Sequence, residues 1–164
     1  MPFSREELTQ AFPLFGTLRV VRFQDVDAAG IVFFPRFYEY FHDTYVELLS
    51  ACGFDLPARL DEGVWGMPLV HAEADFLRPL RFGDAICVEV VALRESERSV
   101  AFGFRVRREG GAKSGEVCAV GETVHAFLER ASMRSCPMPP SFRDVLSRAK
   151  AGTTTSSPRE GAGA

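Results

Sequence analysis

The sequence predicts an α+β domain, with one long helix packed on a mainly antiparallel sheet. Two observations carry this. Phe37, Phe41, Tyr45, Leu48 and Cys52 recur at steps of three and four, the period of a helix with one wide apolar face. Four strand-like runs follow, residues 67–77, 85–94, 99–108 and 117–130, separated by turn-forming residues. A chain of 164 residues supplies one core and is too short for two ordinary domains, so residues 1–150 are read as a single domain.

In chain order, Ser4 and Glu7 form a capping-box pattern ahead of Leu8 and Phe12, which predicts a short N-terminal helix. Residues 14–24 read as a first strand. The long helix is expected over 34–52. Pro35 fits its first position, where the missing N–H costs nothing, and Gly53 fits its stop. Residues 56–66 read as a loop or irregular helix, and 78–84 as a connection. Alternation is clearest where Phe102, Phe104 and Val106 interleave with Arg105 and Arg107. Glu109-Gly110-Gly111-Ala112 marks a hairpin, and Ser141 is placed to cap a final helix ending at Lys150. From Ala151 almost nothing remains to bury, so 151–164 is expected to be a disordered tail.

Composition narrows the function. Apolar content of 46% and charged content of 25% are those of a soluble globular protein. Fifteen Phe against one Trp and three Tyr imply a large apolar surface, buried in a core or between subunits. A formal net charge of −3 argues against a nucleic-acid partner. No apolar run reaches membrane-spanning length and no charge-then-apolar leader opens the chain, so no membrane partner and a cytoplasmic location are expected. Cys52, Cys87, Cys118 and Cys136 form no C-x-x-C pair, and His42, His71 and His125 are scattered. No metal and no cofactor are therefore expected, and the thiols are read as reduced and mostly buried. The serine-hydrolase elbow and the P-loop are both absent.

The most informative stretch runs from Asp25 to Pro35: two acids and a glycine between a strand-like run and a proline-opened helix. The first amides of such a helix favour anions. An acid beside them is what thioester hydrolysis needs: the carboxylate attacks or activates water while the amides hold the oxyanion. Residues 21–38, Val21-Arg22-Phe23-Gln24-Asp25-Val26-Asp27-Ala28-Ala29-Gly30 through Tyr38, closely resemble the signature of the 4-hydroxybenzoyl-CoA thioesterase family, which has the hotdog fold. The resemblance covers roughly residues 16–140. In Pro68-Leu69-Val70-His71-Ala72 and Asp75-Phe76-Leu77-Arg78-Pro79 it is nearest the 1,4-dihydroxy-2-naphthoyl-CoA thioesterases of menaquinone biosynthesis.

The resemblance implies a sheet wrapped around the helix and a homodimer or homotetramer with an acyl-CoA substrate, preferentially an aromatic one. It makes Asp27 the catalytic acid, as nucleophile or as general base, and the Phe34 backbone N–H the oxyanion donor. The family often carries Tyr at the position of Phe34, a change that leaves the amide in place. Asp25 either assists or shapes the turn, and in an extended segment it would face the same way as Asp27. Gly30 permits a positive φ or a close approach by substrate. His71 either lines the acyl pocket or is a satisfied core residue; His125 reads as structural and His42 as solvated or capping. Arg98, and less strongly Arg134, are candidates for the coenzyme A phosphates. Two other readings stay open: hydrolysis of aliphatic or carrier-protein acyl thioesters, and a non-hydrolytic or dehydrating hotdog protein.

Overall fold

The structure, a computed structural model, describes residues 2–152. Most of the segment expected to be a disordered tail therefore lies outside the described residues. The described residues form four helices: α1 (Arg5–Gln10), α2 (Phe34–Ala51), α3 (Leu56–Asp61) and α4 (Pro140–Lys150). The strands are β1 (Phe15–Val20), β2 (Trp65–Gly66), β3 (Leu69–Phe76), β4 (Ala85–Glu95), β5 (Ser99–Glu109), β6 (Val117–Ala126), β7 (Leu128–Glu129) and β8 (Arg134–Ser135). Five of them form one antiparallel sheet in the order β1-β4-β5-β6-β3, while β2, β7 and β8 form a small second sheet. None of the described helices is long and apolar enough to cross a membrane.

The predicted apolar stripe of α2 is what packs on the sheet. Phe37, Phe41, Tyr45 and Leu48 are buried along one face. The Phe41 ring stacks on Phe104 at 4.6 Å between centroids, and Tyr45 on Phe102 at 5.0 Å. Gly121 makes this approach possible, because a Cβ there would stand 2.6 Å from the Phe41 ring and 2.7 Å from the Glu73 carbonyl. A sheet laid around one long helix is the expected hotdog architecture.

α1 covers the opposite, outer face. Ser4 caps it as predicted, accepting the Glu7 amide at 3.1 Å. Leu8 and Phe3 then pack on Val91, Ala101 and Val120. Gly103 has the same role here as Gly121 on the inner face, since a Cβ there would lie 2.5 Å from Leu8.

Several boundaries differ from the sequence reading. The first strand stops at Val20, and residues 23–25 form a 3-10 turn instead of continuing it. The helix α2 starts with Phe34, so Pro35 is its second residue and Phe33 its N-cap. The run 117–130 breaks at Phe127, whose fully buried ring meets Trp65 at 5.7 Å and Phe142 at 5.1 Å. Residues 56–61 form a true helix, because Asp55 accepts the Ala58 amide at 3.1 Å. α4 begins after Pro139, so Ser141 lies inside it and does not cap it.

Candidate active site

The site is built by the loop from Val21 to Phe33 and the start of α2. Backbone bonds attach the loop to the beginning of β4: the Val21 amide donates to the Asp84 carbonyl at 2.9 Å, and the Val32 amide to Leu80 at 2.8 Å. Within the loop, Asp27 and Ile31, Val26 and Val32, and Asp25 and Phe33 face each other across a short ladder. Gly30 closes its tip with φ +74°, in the region glycine favours, and donates its amide to the Asp27 carbonyl at 2.9 Å.

Asp25 and Asp27 have opposite surroundings, although only Val26 separates them. Asp25 is 1% exposed. Its carboxylate accepts the Arg22 amide at 2.9 Å and the Tyr40 hydroxyl at 3.0 Å, with the Arg22 guanidinium at 3.4 Å. Burial alone would raise its pKa; the Arg22 amide, the Tyr40 hydroxyl and the Arg22 charge outweigh burial and hold it below the usual carboxylate range. Tyr40 in turn is raised above the ordinary phenol by burial and by its bond to Asp25. The 3-10 turn rotates Asp25 under the loop, so the two acids do not face the same way. Within the protomer Asp25 supports the loop through Arg22 and Tyr40.

Asp27 is exposed. Its Oδ1 accepts the Ala29 amide at 2.8 Å, an Asx-turn that orients the carboxylate, and its Oδ2 has no hydrogen-bond partner among the described residues. The Asx-turn is therefore made by Asp27 and not by Asp25. The Phe34 amide, first in the helix, also has no acceptor among the described residues. An oriented, open carboxylate and an open amide at the positive end of an 18-residue helix thus belong to one loop. Exposed Phe23, Phe33 and Phe34 belong to this loop and helix start and exposed Phe82 to the adjoining connection, with Phe33 and Phe34 in edge contact at 5.1 Å and Phe23 and Phe82 at 5.9 Å.

The structure does not bring His71 or Arg98 to this loop within the protomer. Along β3, Phe76 faces α2 and touches Phe37 at 5.0 Å. Alternation then sends Asp75, Glu73 and His71 to the outer face, where Asp75 pairs with Arg5 of α1 at 2.7 Å and His71 lies 3.6 Å from Glu73. Arg98 lies in the turn after β4, an 11-residue strand whose other end holds the loop. At about 3.3 Å per residue the two are about 35 Å apart along the strand. Its guanidinium donates to the Ser135 carbonyl at 3.1 Å, and Arg134 is nearby in β8, at the same far end.

The cationic groups near the loop are ones that sequence reasoning passed over as a connection. Arg81 follows Leu80, which holds Val32, and its guanidinium lies 3.8 Å from where a Cβ on Gly30 would be. A cleft of about 490 Å³ opens beside it, lined by Arg78, Arg81, Arg108, Gly110, Gly111 and Lys113. Arg108 is held by Asp84, by Glu116 at 3.2 Å and by the Pro79 carbonyl at 2.9 Å. Arg81 and Lys113 have no ion-pair partner among the described residues. The available signal was the run Arg78-Pro79-Leu80-Arg81 itself, two cations in a short connection.

The other nucleophile candidates are disfavoured. Burial pushes the Cys87 thiol up to about 11 and also raises Cys52 and Cys118. His125 is buried against Tyr45 and Phe102, with Nδ1 at 3.3 Å from the Met67 carbonyl and Nε2 at 3.2 Å from the Thr123 hydroxyl. Burial, reinforced by His42 and partly offset by Met67, lowers it to about 4, so it is neutral and structural as expected.

The sequence pattern of the thioesterase-like superfamily runs through this loop and every strand of the main sheet except β1, matching residues 21–146, and the chain belongs to that superfamily. Among its relatives, a 1,4-dihydroxy-2-naphthoyl-CoA hydrolase from Synechococcus elongatus is 31% identical over 129 residues, 78% of this chain and 91% of its own. The corresponding hydrolase from Picosynechococcus is 30% identical over 123 residues, 74% and 84% of the two chains. The solved 1,4-dihydroxy-2-naphthoyl-CoA thioesterase from Synechocystis superposes with a TM-score of 0.75 at 26% identity, covering 81% of this chain and 95% of that one. A gentisyl-coenzyme A thioesterase superposes with a TM-score of 0.68 at 29% identity, covering 78% and 98%.

Proposed function

We propose that this chain is an acyl-CoA thioesterase that hydrolyses an aromatic acyl-CoA, of the 1,4-dihydroxy-2-naphthoyl-CoA type, to the free acid and coenzyme A. The observation that carries the reading is the pairing of an open Asp27 carboxylate with the open Phe34 amide in one loop. The thioester carbonyl oxygen binds at the Phe34 amide, where negative charge develops. Asp27 either attacks the carbonyl, expelling the thiolate and leaving a mixed anhydride that water opens, or takes a proton from the attacking water. Gly30 keeps the tip of the loop free of a side chain.

The exposed phenylalanines around the loop suit a flat aromatic acyl group, since each ring pair adds about 0.5–1.5 kcal/mol beyond burial. The relatives with named substrates act on aromatic acyl-CoA, and the 1,4-dihydroxy-2-naphthoyl-CoA hydrolases among them support a role in menaquinone biosynthesis. For the coenzyme A phosphates the cleft beside Arg81 and Lys113 replaces Arg98 as the candidate, because it adjoins Gly30 and holds cations without carboxylate partners. The chain is expected to work in the cytoplasm as a homodimer or homotetramer. In support, β3 is an edge strand that exposes Leu69, Val70 and Phe76, and a second copy would bury that edge and the aromatic rim.

Thiol release from a panel of acyl-CoAs tests this. The expected result is a higher kcat/KM for 1,4-dihydroxy-2-naphthoyl-CoA than for decanoyl-CoA, by roughly 2- to 12-fold per stacking contact. Equal or better turnover of decanoyl-CoA overturns the aromatic assignment. Absence of thiol release from every acyl-CoA overturns the thioesterase.

A further inference from the structure

We propose that His71, Glu73 and Glu122 form a binding site for one divalent transition cation of the Zn²⁺ class on the outer face of the sheet. The three come together by strand pairing alone. Glu73 on β3 lies directly opposite Glu122 on β6, and His71 is two residues along on the same face. His71 Nε2 is 3.6 Å from Glu73 Oε2 and 3.6 Å from Glu122 Oε1, and one donor atom from each residue lies within 4.8 Å of the others. Ligand atoms of a tetrahedral zinc with bonds of about 2.0–2.1 Å stand roughly 3.4 Å apart, so small side-chain rotations suffice.

Glu122 supplies an independent sign that something is bound. Its side chain is 0% exposed. Its Oε2 accepts the Phe3 amide at 3.2 Å, but its Oε1, aimed at His71, has no hydrogen-bond partner among the described residues. A buried, unpaired carboxylate oxygen is costly, and native proteins rarely leave one so. Arg5, which lines the same void as Glu122, is committed to Asp75 at 2.7 Å and makes no ion pair with Glu122 among the described residues. A void of about 10 Å³, the size of one water, adjoins the two glutamates on the side of Arg5 and Leu8.

The donor set selects the metal. One imidazole with two carboxylates matches a divalent metal at charge balance and suits Zn²⁺ or Co²⁺, whereas Mg²⁺ and Ca²⁺ prefer six or more oxygens. The half-exposed His71 leaves a fourth position open to water. A bound ion would tie the edge strand β3 to β6 and, through Glu122, to the N-terminal segment at Phe3.

The test uses the full chain without an affinity tag, stripped with a chelator. Co²⁺ is titrated while its visible absorption is followed, and Zn²⁺ by calorimetry. One Co²⁺ per chain with a tetrahedral-type spectrum, displaced by Zn²⁺, is expected, together with a Tm that rises with Zn²⁺ concentration. H71A, a change at an exposed edge position, should fold normally and weaken Zn²⁺ by at least about tenfold. E122Q should do the same without removing the histidine. No saturable uptake, equal affinity in H71A, or a preference for Mg²⁺ or Ca²⁺ would overturn the site and leave the void to water.

Discussion

The two faces of the five-stranded sheet solve the same packing problem with different chemistry. The inner face is aromatic: Phe102 and Phe104 meet Phe41 and Tyr45 of α2, and His125 beside them is buried and neutral. The outer face is ionic. Glu89 on β4 receives Arg105 at 2.7 Å and Arg107 at 3.0 Å from β5, and Arg105 also donates to the carbonyls of Thr9 and Ala11 at the end of α1. Stacked rings give α2 a rigid seat, so the amides at its N-terminus are fixed where the loop presents Asp27. Charge pairs hold a helix of only six residues, too short to be stable alone. The difference teaches that chemistry is expected at the mouth of the rigid inner layer, while the outer layer carries the unbalanced carboxylates.

The largest expected effect breaks the inner-face site and leaves both faces folded. D27N keeps shape and the Asx-turn acceptor but removes nucleophile and base. We expect kcat to fall by roughly 10²–10⁴-fold with the Tm unchanged. A variant keeping more than about a tenth of the wild-type kcat, a barrier change under about 1.4 kcal/mol, removes Asp27 from the chemistry.

Glu89→Ala makes the converse break. It leaves the buried Arg105 guanidinium without its carboxylate, and losing one member of a buried pair costs about 3–5 kcal/mol. Urea denaturation should show that loss, while kcat/KM of the protein still folded stays within a few-fold. A loss under about 1 kcal/mol would mean that the bonds of Arg105 to Thr9 and Ala11 hold α1 by themselves.

Acid sharpens the comparison, because His125 on the inner face and Asp25 under the active-site loop, both with lowered pKa values, respond in separate windows. His125 takes its proton near 6.5 when unfolded and at about 4 when folded. Between those values the unfolded chain binds more protons, so stability falls as pH drops, with a ceiling of about 3 kcal/mol at about 1.4 kcal/mol per pH unit. Asp25 has a lowered folded pKa, so its contribution is complete above the usual carboxylate range and is lost as pH falls through the folded value. Urea midpoints measured against pH should show both declines in the wild type. H125Q should remove only the upper one; parallel curves for the two proteins between pH 6.5 and 4 contradict the assignment.

How much of this was legible in the sequence depended on how local each feature is. Asp27, Gly30 and Phe34 fall within eight residues, so their pattern survives without knowledge of the fold. The α2 face and the four long strands were legible for the same reason, through their periodicity. The roles of Asp25 and Asp27 were not separable, because one 3-10 turn decides which of them is buried. For His71 the sequence left a pocket-lining and a core role equally open, because its face depends on the register of β3 against β6 and on the irregularity between Leu69 and His71. The His71, Glu73 and Glu122 cluster was invisible for a related reason: Glu122 lies 49 residues beyond Glu73, and only the sheet order makes them neighbours. Nor could periodicity foresee β2, β7 and β8, two-residue pieces held by the buried rings of Trp65 and Phe127.

The smallest expected effect compares the two ends of the sheet through one arginine each. Arg81 adjoins Gly30 and the cleft, whereas Arg98 lies beyond the far end of β4, bonded to Ser135. If the coenzyme A phosphates bind at the cleft, R81A removes one phosphate contact that is the same in ground and transition states. Such uniform binding raises KM and leaves kcat alone. An exposed charge contact is worth about 0.2–1 kcal/mol, so KM should rise roughly 1.5- to 5-fold, and the rise should shrink as salt screens the pair. R98A should leave both constants unchanged in a single protomer's site. The comparison reverses if the far end of one protomer's sheet covers the loop of another: R98A would then raise KM, R81A would not, and the phosphate site would be shared between subunits. Steady-state kinetics of the two variants at low and high salt, read beside the oligomeric state by sedimentation, decide between the two arrangements.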